Sequence, residues 1–266
     1  MKLTIAVIAA ALTFCGSAFA QTKPSVTALT PPPKTLLLVG NSFFYFNDSM
    51  HRYLGGLVAA GEPQLRGQYR ATSVTISGSG LNWHDMEAYL KPSGMASYSF
   101  TADNKVVFNK FDKPFEAVIM NDCSQCPIHP PLKDLFHEFS RKHSQTAVKY
   151  GARPILFMTW AYQDMPEMTA QLAEQYTVAG NANGALVIPA GLSFARSIAK
   201  NPSLNLYNAD KRHPSLAGSY LGAATIYASL FGKSPAGLKY NGGLDDKTAA
   251  LLQETAWEAV KEYYGR

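Results

Sequence analysis

The 266 residues are 47% hydrophobic, 12% aromatic and 16% charged, enough apolar material for a full core and the wrong composition for a disordered or fibrous chain. Basic residues outnumber acidic ones by 24 to 19, but they are scattered, with no Arg/Lys run or basic-aromatic stripe, so nucleic acid is not an expected partner. Three cysteines are too few to staple a fold, and 20 glycines and 16 prolines without a dominant tract exclude collagenous and low-complexity readings.

Residues 1–20 read as a signal peptide. Lys2 supplies a positive start, residues 3–14 an apolar run, and Ala18-Phe19-Ala20 the small residues that a signal peptidase needs. The run is shorter than the roughly 20 residues that span a bilayer, and no later segment is apolar enough, so the mature chain is expected from Gln21, exported to the periplasm or secreted, with no stable membrane insertion. Cleavage removes Lys2 and leaves 23 basic residues against 19 acidic.

Residues 21–34, with Pro31-Pro32-Pro33, read as an extended leader. From Thr35 onward short apolar runs alternate with longer amphipathic stretches, the pattern of a parallel sheet covered by helices on both faces. Strands are expected at residues 36–39, 116–120, 154–158 and 185–188, with an alternating edge strand at 70–76. Helices are expected at 48–60, 132–150, 166–179, 214–231 and 245–264, bounded by capping residues, glycines or Pro214. Residues 95–111 break the alternation and read as an insertion near the sheet edge, a hairpin or a lid. The remainder, residues 35–266, forms one α/β domain.

In an open parallel sheet the ligand site lies beyond the carboxyl ends of the strands. Those positions carry Gly40-Asn41-Ser42-Phe43-Phe44, Ser77-Gly78-Ser79-Gly80-Leu81 and Asn121-Asp122-Cys123-Ser124-Gln125, while Asp210-Lys211-Arg212-His213-Pro214-Ser215 precedes a C-terminal helix. A serine hydroxyl becomes a useful nucleophile when an imidazole takes its proton and a carboxylate fixes the imidazole's tautomer. Ser42 follows the first strand directly, and Asp210 and His213 are three apart in a loop. Backbone N–H groups of Ser42 and a glycine after the second strand, with a side-chain amide after the third, supply the donors that a tetrahedral oxyanion requires.

In this order and spacing the four blocks resemble those of the SGNH (GDSL-type) hydrolases. The resemblance spans residues 36–213 and implies a flavodoxin-like three-layer sandwich with a short parallel sheet, and a serine esterase needing no metal or organic cofactor. Ser42 would be the nucleophile, His213 the general base and acid, and Asp210 the orienting carboxylate. Two departures stand out: Asn41 occupies the place of an aspartate, and the third block offers either Asn121 or Gln125 as its amide. Counting from the strand start favours Gln125, and the same counting favours Gly78 over Gly80. Oligomeric state is not readable.

Other residues invite rival readings. His51 and His84 fall in helix candidates and read as surface or supporting residues, and His137 and His143 as solvated positions on a polar helix face. Cys123 and Cys126 read as a local disulfide in an oxidising compartment, ahead of free thiols, and with His129 they are too few for a zinc site. At least two of Phe43, Phe44, Tyr45 and Phe46 read as core, while Trp83, Trp160 and Tyr162 are candidates for a substrate platform. Export makes an ester outside the cytoplasm, such as O-acetylated carbohydrate, the expected substrate. The competing classes are a carbohydrate-binding or scaffold protein without turnover and a redox protein using Cys123 and Cys126.

Overall fold

The computed structural model describes residues 22–95 and 98–266; the expected signal peptide and Gln21 lie outside the described residues. Residues 22–34 contain no helix or strand and lie along the domain. Thr22 Oγ1 donates to Glu174 at 2.6 Å, Asn181 Nδ2 to the Lys23 carbonyl at 2.9 Å, and the Arg153 guanidinium to the Pro31 carbonyl at 2.6 Å.

The chain then builds β1 (Thr35–Gly40), α1 (Ser42–Tyr45), α2 (Met50–Gly61), β2 (Arg70–Thr75), α3 (Met86–Leu90), β3 (Tyr98–Phe100), β4 (Val106–Phe108), β5 (Ala117–Met120), α4 (Pro130–Lys149), β6 (Arg153–Phe157), α5 (Met168–Asn183), β7 (Leu186–Ile188), α6 (Ala190–Lys200), α7 (Leu216–Phe231) and α8 (Asp246–Tyr264). The five main strands are all parallel in the order β2-β1-β5-β6-β7, a doubly wound arrangement. Helices α2, α7 and α8 pack together on one face and α3, α4 and α5 on the other, with α6 touching α5, α7 and α8. Covered on both sides, Leu36, Leu37, Leu38 and Val39 are fully buried, whereas every residue of the edge strand β2 is half-buried. Helix α7 is buried all round except at Leu216, because α2, α6 and α8 enclose the flanks that the sheet does not reach.

Several expected boundaries shift for identifiable reasons. Helix α5 runs through Gly180 to a left-handed cap at Gly184. Gly180 is a point of close approach, since an added Cβ would lie 2.3 Å from Val187 Cγ2. Pro214 stands outside α7, in a β-bridge with Tyr207, and Ser215 caps the helix by accepting from the Gly218 N–H at 3.2 Å. Helix α6, by contrast, has no local onset signal: it starts at Ala190, and Pro189 at its N-cap offers no capping side chain.

The insertion contains an antiparallel hairpin, with Tyr98 opposite Phe108 and Phe100 opposite Val106. These four residues therefore share one face, and all are exposed. The segment leading back to the sheet lies at its amino edge: Arg70, at the start of β2, stacks on Phe111 at 4.4 Å, and Lys113 borders Gly151, just ahead of β6. Its root is thus at the edge opposite the carboxyl ends of the strands.

Candidate active site

Ser42 is the first residue of α1, immediately beyond β1, and it is 8% exposed. Its N–H belongs to the first turn and meets no intrahelical acceptor. The Ser42 hydroxyl lies 2.8 Å from His213 Nε2, and His213 Nδ1 lies 2.5 Å from Asp210 Oδ2. Asp210 Oδ1 accepts the N–H groups of Arg212 and His213, each at 3.0 Å. Partial desolvation pushes the Asp210 carboxyl up, but the His213 ring and the two amides more than offset it and hold the group near 2. An ionised carboxylate only accepts, so the proton of a neutral His213 sits on Nδ1 and leaves Nε2 free to receive the serine proton. Phe46 stacks on the imidazole at 4.1 Å between centroids and Phe43 meets it edge-on at 5.8 Å, fixing the ring plane.

The loop bearing His213 is pinned from three sides. Trp160 Nε1 donates to the Arg212 carbonyl at 2.9 Å, the Gln163 N–H to the Lys211 carbonyl at 2.9 Å, and Asn47 Nδ2 to the Pro214 carbonyl at 2.9 Å. Trp160 is fully buried between Phe43 and Phe194, which rules it out as a substrate platform. Tyr162 is 7% exposed and its hydroxyl meets Ser124 Oγ at 2.5 Å; Trp83 is 60% exposed. Phe43 and Phe44 belong to the core, and Tyr45 reaches Ser77 Oγ at 3.0 Å.

Asn41 does what an aspartate there could not. Its Nδ2 donates to the Ser79 carbonyl at 2.8 Å and the Asp122 carbonyl at 3.1 Å, while Oδ1 accepts from the Phe43 N–H and from Asn121 Nδ2, both at 3.1 Å. One amide thereby ties together the loops after β1, β2 and β5. Asn121 is correspondingly committed to the interior: its amide nitrogen donates to Asn41 and to the Asp122 carbonyl, and its side chain lies against Gly40. Gln125 is half-buried four residues on, and its side-chain amide has no hydrogen-bond partner among the described residues. A disulfide between Cys123 and Cys126 brackets it. Those sulfurs and the Asp122 carboxylate lie within 4.8 Å of one another, but bonded sulfurs offer no thiolate to a metal.

Gly78 is exposed with φ +70°, and Gly80 is buried at φ −91°. Neither N–H donates to another described residue. Asp122 Oδ1 accepts from the Leu81 N–H at 2.9 Å and the Cys123 N–H at 2.7 Å, linking the second loop to the third; burial, only partly countered by these bonds, raises its carboxyl to about 6.

His143 departs from the solvated position expected of it, and His84 takes the supporting rather than the surface alternative. His84 is buried in the loop ahead of α3, its Nε2 3.0 Å from Ser79 Oγ, and His143 is buried on α4 with Nε2 2.8 Å from the Leu81 carbonyl. The α4 flank that looks polar in sequence is covered by residues 81–84. His51 and His137 remain local, meeting Ser49 Oγ and Gln175 Oε1. Asn47, Tyr162 and Asp122 have no sequence signal as organisers of the site, for each meets a partner 38 or more positions away in the chain.

No protein-family model matches the chain, and no curated protein matches it by sequence. Solved structures do match. A DUF4886 family protein from Bacteroides uniformis shares 17% identity at a TM-score of 0.55, covering 85% of this chain and 94% of that one. A protein assigned to the SGNH hydrolases from Slackia heliotrinireducens shares 22% at 0.54, covering 73% and 97%. An acetylxylan esterase from Geobacillus stearothermophilus shares 17% at 0.53, covering 74% and 94%. The chain is an α/β protein with the SGNH (GDSL-type) hydrolase fold. Among the described residues no helix is long and apolar enough to cross a membrane.

Proposed function

We propose that this chain is an exported serine esterase that cleaves carboxylic esters through an acyl-enzyme on Ser42, with residues 35–266 as the hydrolase domain behind a signal peptide (1–20) and a leader (21–34). The observation that carries this reading is the continuous contact from Ser42 Oγ through His213 to Asp210, at 2.8 and 2.5 Å, at the carboxyl edge of the sheet.

In the first half-reaction His213 Nε2 takes the Ser42 proton as Oγ attacks the ester carbonyl. The developing oxyanion is met by the N–H groups of Ser42 and Gly78 and by the free amide of Gln125, worth about 3 to 4 kcal/mol for each donor. The interior bonds of Asn121, whose amide donates to Asn41 and to the Asp122 carbonyl, support Gln125 as the amide in that role. Collapse of the intermediate breaks the C–O bond, and His213 passes its proton to the departing alcohol. Water, activated by the same imidazole, then releases the acid and restores Ser42. Asp210 keeps the Nδ1 proton in place and stabilises the transient imidazolium. No step requires a metal or cofactor.

Fold likeness to an acetylxylan esterase, together with export, favours O-acetyl groups on extracellular carbohydrate as substrate. The test is hydrolysis of 4-nitrophenyl acetate by protein beginning at Gln21, beside Ser42→Ala and His213→Ala. Loss of activity in both variants with unchanged circular dichroism is expected. Glycan binding that persists in Ser42→Ala, with no ester hydrolysis by the wild type, would instead identify a binding protein.

A further inference from the structure

The loop that carries His213 also carries an exposed cation, Arg212, whose guanidinium has no hydrogen-bond or ion-pair partner among the described residues. The neighbouring charges are accounted for: Lys211 pairs with Asp164 at 3.5 Å, and Asp210 is bound to His213. The Arg212 side chain is nonetheless positioned. Its guanidinium carbon lies 4.8 Å from the centroid of the Tyr162 ring. Tyr162 is in turn held by Ser124, the residue before Gln125, and the Arg212 backbone is fixed by Asp210 and Trp160.

A stacked guanidinium with all its donors free is a preformed fork for a carboxylate. We infer that Arg212 forms an anion subsite at the mouth of the site and selects esters whose alcohol portion carries a carboxylate, such as an acylated sugar acid. His213 Nε2 delivers its proton to the departing alcohol, so the alcohol lies toward the loop that carries both His213 and Arg212. This inference rests on the esterase reading.

The test compares 4-acetoxybenzoate with its uncharged methyl ester as substrates for the wild type, Arg212→Gln and Arg212→Lys. Comparing the ratio of kcat/KM values for the two esters between wild type and variant cancels their intrinsic reactivities. The ratio should fall about tenfold in Arg212→Gln, the effect of losing about 1.4 kcal/mol of charge-assisted binding, through KM rather than kcat. Arg212→Lys should recover part of it, and 0.5 M NaCl should shrink the wild-type ratio toward that of Arg212→Gln. An unchanged ratio in Arg212→Gln overturns the subsite while leaving the esterase intact. Equal loss on both esters also overturns it, since that is the signature of a purely structural arginine. Absence of Ser42-dependent hydrolysis of either ester overturns the esterase reading, and the subsite with it.

Discussion

Asp210→Asn probes the orientation of the base most sharply, because the carboxylate uses both its oxygens. Oδ1 accepts two backbone N–H groups at 3.0 Å and Oδ2 accepts His213 Nδ1–H at 2.5 Å. An amide can satisfy only one of these faces. With its oxygen toward the backbone, its NH2 faces Nδ1, the imidazole must carry its proton on Nε2, and it can no longer receive one from Ser42. With its oxygen toward Nδ1, its NH2 opposes two N–H donors and both backbone bonds are lost. Two bonds at about 1 kcal/mol each, plus the cost of leaving their donors opposed, favour the unproductive orientation by about 2 to 4 kcal/mol. At about 1.4 kcal/mol per tenfold this lowers kcat by roughly 30- to 1000-fold. The lower end is set by solvent, since the Asp210 side chain is 46% exposed and water can relieve the opposed donors. The assay is kcat for 4-nitrophenyl acetate at pH 8, with thermal melting as a control for folding. A folded variant retaining more than a third of wild-type kcat would refute the tautomer argument.

Three further outcomes are expected. Gln125→Ala should lower kcat by roughly 100- to 1000-fold with its melting temperature nearly kept, while Asn121→Ala should chiefly lower stability; the reverse pattern would reassign the oxyanion amide. Asn41→Asp should destabilise by about 3 kcal/mol or more in urea unfolding, because it sets acceptor oxygens against the Ser79 and Asp122 carbonyls, and unaltered stability would contradict the interloop tie. Burial, then the neighbouring His143, holds His84 down at about 4. The unfolded chain therefore takes up this proton first, so stability is full above about pH 6.5 and declines toward pH 4, and His84→Asn should flatten that decline. Asp122, raised to about 6, acts in the opposite sense but is common to both proteins and cancels in the comparison. Equal slopes would refute the assignment.

The fold was legible where local chemistry decides it. The unbroken run 36–39 follows from burial on both faces, and the four-block resemblance singles out Ser42, Asp210 and His213, whose side chains lie in hydrogen-bond contact. What sequence left open depends on contacts between distant segments. Asn121 and Gln125 are both amides in one loop, and only the structure shows that Asn121 lies in a cradle formed by Asn41 and Gly40. His143 sits on a helix flank that looks polar until residues 81–84 close over it. Gly180 resembles a helix stop and is instead the gap that lets α5 approach β7. Asn41 looks like a departure from the SGNH pattern, yet its two donors are what this set of loops requires.

The central claim, that Ser42 is a nucleophile activated by His213, is tested most directly by labelling the folded protein with a fluorophosphonate and mapping the adduct by peptide mass spectrometry. One adduct per chain on Ser42, absent in Ser42→Ala and formed far more slowly in His213→Ala, is the predicted result. A folded wild type that takes no label, or takes it on another residue, would contradict the account.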